Sequence, residues 1–121
     1  MIEPAIDPAV FANLVEITGG DLEFVDDLVD TYLADGEQQI AALRAAASTG
    51  SREDLVPPAH AMKSSSLNVG ALGLGALSRT LEEAARTGAV TDAAVQVEAI
   101  AAAFGRARRE LLAERERRAP S

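Results

Sequence analysis

The chain of 121 residues carries one histidine, His60, and one lysine, Lys63, three positions apart. On a helix that spacing puts both side chains on one face, together with Ser64 and Leu67. An imidazole is mostly neutral near pH 7, and its unprotonated nitrogen can attack phosphorus. An ammonium group one turn away offsets the charge of a transferring phosphoryl group. Such chemistry needs no pocket, only an exposed nitrogen, a nearby cation and room for a partner to bring a phosphorylated side chain into line. Rival chemistries lack their residues. There is no cysteine, and one histidine cannot complete the usual zinc set. Di-metal bundles use Glu-x-x-His pairs, and Pro57 stands where the glutamate ahead of His60 belongs. Gly73-Leu74-Gly75 has no preceding strand and no Gly-Lys-Ser/Thr, so it is not a phosphate loop. No metal and no cofactor are expected.

The pattern of apolar residues and breakers predicts helices throughout. Asp7 and Pro8 open a short one that stops at Gly19-Gly20. Asp21 caps a long second helix running to about Ser48, with Leu22, Val25, Val29, Tyr32, Ile40 and Leu43 on one stripe. Gly36 in its middle marks either a bend or a close helix approach. Ser51 and Asp54 form a helix-start pattern. Pro57-Pro58 then leave two possibilities: a helix beginning near Pro58, with His60 in its first turn, or one helix kinked at the prolines, with His60 in its middle. Ala59, Met62, Ser66 and Val69 form a bundle seam that points away from His60, and Gly70 closes the helix. The next runs from about Leu72 to Arg86, with Leu74, Leu77, Leu81 and Ala84 expected inside. The last starts near Thr91 or Asp92 and carries the seam Val97, Ile100, Phe104, Ala107 and Leu111. The expected fold is all-α: an antiparallel up-down-up-down four-helix bundle with the short N-terminal helix packed across one end. A single domain is expected over 1–121, with its bundle core at about 21–113 and an Arg/Glu-rich helix end and tail at 114–121.

Composition agrees with packed helices. The aromatics are three Phe and one Tyr, with no Trp, so Leu, Val, Ile and Ala must build the core. The N-terminal residues lack the basic segment and apolar run of a leader, and no stretch is apolar enough to span a membrane. With no cysteine present, this reads as a cytoplasmic protein. The net charge of −8 is unevenly spread, at −10 over residues 1–58 and +2 over 59–121. An acidic chain is a poor nucleic-acid binder. Arginines 106 to 118 alternate with Glu110, Glu114 and Glu116, as on a solvated helix.

The segment Ala59-His60-Ala61-Met62-Lys63-Ser64-Ser65-Ser66-Leu67-Asn68-Val69-Gly70-Ala71 resembles the signature of histidine-phosphotransfer (HPt) domains, the intermediates of multi-step two-component phosphorelays. The likeness continues through Leu74, Leu77, Leu81, Glu82 and Arg86. It implies that His60 accepts a phosphoryl group on its outer ring nitrogen from a receiver-domain aspartate and passes it to another, with Lys63 assisting. Ser64 and Leu67 would belong to the docking surface, and any Mg2+ would sit on the receiver. The implied partners are receiver domains of response regulators or of a hybrid histidine kinase, met by a monomeric carrier that is not itself an enzyme. The chain departs from the family in having Ser64 where glycine is usual, Ser78 where cysteine is common, and a double proline before His60. A helical adaptor that docks receivers without chemistry is one alternative, and the phosphorylatable input domain of a chemotaxis-type kinase is another. Against the second, the chain reads as free-standing.

Overall fold

The computed structural model describes residues 4–118, which form five helices and no strand. They are α1 (Pro8–Ile17), α2 (Leu22–Thr49), α3 (Arg52–Val69), α4 (Leu72–Thr87) and α5 (Ala93–Arg118). The expected tail at 119–121 lies outside the described residues. Helices α2 to α5 form a ring in which each packs on its sequence neighbour and α5 closes back on α2, with no diagonal pairing. That is the up-down-up-down arrangement, and α1 lies across α2 and α3 at one end.

The helix ends follow from local chemistry. Asp7, Asp21 and Ser51 cap α1, α2 and α3 by accepting from first-turn amides, groups that have no partner within the helix. Gly50, Gly70 and Gly88 end α2, α3 and α4 in the left-handed conformation. Gly70 also serves the tertiary fold, because its carbonyl accepts from the Asp7 amide at 2.8 Å and a Cβ would lie 3.0 Å from the Asp7 carbonyl oxygen. At the centre of α2, the helix runs unbroken through Gly36. The close approach is what occurs: a Cβ there would lie 2.2 Å from the Phe104 ring on α5.

The structure decides one reading that was open and corrects one expectation. The first is the helix start at Pro58, one of the two alternatives, which is excluded. Helix α3 begins at Arg52 and runs through both prolines, so His60 lies in its third turn. Each interior proline costs about 3 kcal/mol and deletes a backbone bond. Against that cost, Leu55, Pro58, Ala59 and Met62 are all buried, in one i, i+3, i+4, i+7 stripe. Burying the larger of these returns roughly 1.5–3 kcal/mol apiece, and the freed carbonyls, on Glu53 and Asp54, belong to exposed residues. The second concerns the inner face of α4, which is Leu74, Gly75, Ser78, Leu81, Glu82 and Ala85. Leu77 is exposed and Ala84 only partly buried. Small and polar residues hold the positions facing α3, which a ranking by hydrophobicity overlooks.

Candidate functional site

Helices α3 and α4 are antiparallel and in register at two levels. Seven residues, or two turns, separate His60 from Leu67 on α3 and Glu82 from Gly75 on α4. At the lower level Leu67 lies over Gly75, where a Cβ would be 2.6 Å from the leucine side chain. At the upper level His60 Nδ1 lies 3.0 Å from Glu82 Oε2. The missing side chain at Gly75 lets the helices meet closely enough for the upper contact to form.

Glu82 is the centre of the cluster. Its side chain is only 6% exposed, whereas the His60 ring is 55% exposed. Arg86, one turn further along α4, donates from Nε and Nη2 to Glu82 Oε2 at 3.0 and 2.9 Å. The Lys63 ammonium lies 2.9 Å from Oε1. This contact is an ion pair. Burial works to raise the Glu82 pKa, but the bonds from Lys63, Arg86 and His60 together outweigh it, and the pKa falls to about 2. Glu82 is therefore ionised across the physiological range.

That charge state fixes the imidazole. An ionised carboxylate has no proton to give, so His60 Nδ1 must be the donor in the contact. In the neutral ring the lone pair then resides on Nε2, remote from Glu82 on the half-exposed ring. The arrangement supplies an accessible nitrogen nucleophile, backed by a buried anion and flanked by Lys63 and Arg86.

The residues singled out from sequence fall together. His60, Lys63, Ser64 and Leu67 share one face of α3, with Ser64 exposed and Leu67 43% exposed, while Ala59, Met62 and Ser66 are buried on the opposite face. Ser78 is fully buried, and its hydroxyl donates to the Leu74 carbonyl at 2.9 Å, so serine is satisfied there. The partnership of Glu82 and Arg86 with His60 was not anticipated. Its one signal in the sequence is an acidic residue inside an otherwise small and apolar stripe of α4.

Residues 27–113 match the family model of the Hpt domain. A solved structure, histidine-containing phosphotransfer protein B (HptB) from Pseudomonas aeruginosa PAO1, is similar to the chain at 32% identity with a TM-score of 0.86, over 96% of this chain and 98% of that one. No curated protein matches. Family match and full-length structural likeness agree with the resemblance carried by residues 59–71, and the chain belongs to the Hpt domain family, the histidine-phosphotransfer carriers of phosphorelays that work with receiver domains.

Proposed function

We propose that His60 is the residue that carries the phosphoryl group, through Nε2, between aspartates of receiver domains. The observation that carries this reading is the bond from His60 Nδ1 to ionised, buried Glu82, which leaves Nε2 as the nucleophile on an exposed ring. His60 is also the only histidine of the chain. In the transfer the Nε2 lone pair attacks the phosphorus of the receiver's acyl phosphate. The P–N bond forms as the P–O bond to aspartate breaks, and the aspartate leaves as a carboxylate. The ring then carries a positive charge that it shares with the Nδ1–H bonded to Glu82, so the carboxylate stabilises the product without moving a proton. Lys63 can turn part of its charge to the transferring oxygens. Any Mg2+ the reaction needs is held by the receiver, and Ser64 and Leu67 form the near part of the docking surface.

Incubation with phosphorylated receiver domains tests the reading. The wild-type protein should acquire an acid-labile, base-stable label, and His60→Gln should abolish it. Because the ring is half-exposed, that variant should keep its helicity and melt within a few degrees of wild type. Undiminished label on His60→Gln would overturn the assignment. Binding of receivers by wild type without any label would favour the adaptor alternative.

A further inference from the structure

Lys63 has two uses for its charge. At rest its ammonium lies 2.9 Å from Glu82 Oε1. To serve a phosphoryl group on His60 Nε2, which is remote from Glu82, it must leave that carboxylate. The lysine can make the move, because residues three apart on a helix are surface neighbours and a flexible four-carbon stem carries the ammonium. The obstacle is the carboxylate itself. Glu82 is only 6% exposed, so little water can replace the departing cation, and taking a partner from a buried charge is costly unless others remain.

Arg86 is the partner that can remain. Its Nε and Nη2 both donate to Glu82 Oε2, the oxygen that also accepts from His60 Nδ1. Lys63 sits on the other oxygen, Oε1, so its departure leaves the arginine grip and the imidazole bond in place. Without Arg86, the lysine would be the one full positive charge on the carboxylate of the resting site, and Glu82 would hold it there. The pair differs in this from its neighbour on α4. Arg79 and Glu83 have the same spacing, but both are well exposed, and such surface pairs contribute little.

We infer that Arg86 is a positioning residue that frees Lys63 for the phosphoryl group, by holding the Glu82 carboxylate while the lysine is away. This rests on the carrier reading above and adds the residue that makes the lysine available. Arg86 touches neither the reacting nitrogen nor the partner's phosphorus; it acts through Glu82 on where Lys63 spends its charge. The lysine has two positions, on Glu82 before transfer and on the phosphoryl oxygens after it, and Arg86 sets the balance between them.

The test follows the Lys63 side-chain nitrogen by 15N NMR in the full chain, where it is the only lysine. Phosphoramidate loads the histidine without a receiver: the P–N bond of its ammonium form breaks, ammonia leaves, and a P–N bond to His60 Nε2 forms. On loading, the Lys63 signal should move in wild type and in the control Arg79→Gln, and stay in place in Arg86→Gln. Arg86→Lys should restore the movement. Arg86 is 57% exposed, so these variants should keep the fold. The His60 ring should retain Nδ1–H in Arg86→Gln, because Lys63 still holds Glu82 ionised. With phosphorylated receivers as donors, Arg86→Gln should slow single-turnover transfer by about fivefold or more at saturating receiver, with KM unchanged. A Lys63 signal that moves as far in Arg86→Gln as in wild type, or an unchanged transfer rate, would overturn the inference. A loss of the Nδ1–H form in that variant would overturn it too, by making Arg86 a support for Glu82 alone. Receivers that transfer nothing to wild type would sink the carrier reading instead, and the phosphoramidate experiment would still decide the part played by Arg86.

Discussion

At the scale of single residues, His60 depends on a side chain that the sequence did not mark for it. His60, Lys63, Ser64 and Leu67 were legible because residues three, four and seven apart on one helix share a face whatever the rest of the fold does. Glu82 was legible only as part of a family likeness. Its contact with His60 spans 22 positions and depends on how α3 and α4 slide against each other, which Gly75 and Leu67 help to fix. On the proposed carrier reading Glu82 is a positioning residue, which holds the proton on Nδ1 and balances the charge that the ring would gain. Glu82→Gln preserves the shape but offers Nδ1 either an oxygen or an amide, so the preference for one tautomer should weaken. We expect 15N NMR of the ring to shift toward a mixture of Nδ1–H and Nε2–H forms, and transfer to slow by about 10-fold or more. An unchanged tautomer ratio with a slowed rate would assign Glu82 to holding Lys63 and Arg86 instead.

At the scale of elements, the helix boundaries other than the start of α3 were close to readable because caps and terminal glycines are local signals. The passage of α3 through Pro57 and Pro58 was legible only as one of two alternatives, because a local rule against interior proline competes with burial of Leu55 and Pro58, which only the tertiary fold decides. The inner face of α4 was misread for a related reason, since Gly75, Ser78 and Glu82 face α3 where Leu77 was expected to help. Glycines test this view, because one chemical change should have opposite signs at two helical sites. Gly36→Ala forces a methyl to within 2.2 Å of the buried Phe104 ring, and the overpacking should cost about 1–3 kcal/mol in spite of better helix propensity. At Gly73, in the first turn of α4, an added Cβ meets nothing within 4 Å. Gly73→Ala should therefore stabilise by up to about 1 kcal/mol. Urea midpoints of the two variants against wild type check both signs.

At the scale of the whole molecule, the chain is tied together by carboxylates whose partners lie far away in sequence, which composition could show only as an uneven charge. Glu110 of α5 accepts from the backbone amides of Ala5 and Ile6 at 2.8 and 2.9 Å, holding the N-terminal segment over the end of the bundle. Asp30 on α2 accepts from Arg115 at 2.6 Å, and Glu82 joins α3 to α4. For Glu82 the loosening of its tie by acid has a defined pH window. Its pKa is about 2 in the fold against 4.5 for an ordinary glutamate. A depressed folded-state value means that the unfolded chain binds the proton more readily. The stabilisation from Glu82 is thus fully present above pH 4.5 and is lost as pH falls toward 2. The difference between wild type and Glu82→Gln isolates this contribution. Urea midpoints should separate the two proteins at pH 5 and draw together by pH 2.5. A separation that stays constant between those values would mean that the Glu82 carboxylate is held no more tightly in the fold than in the unfolded chain.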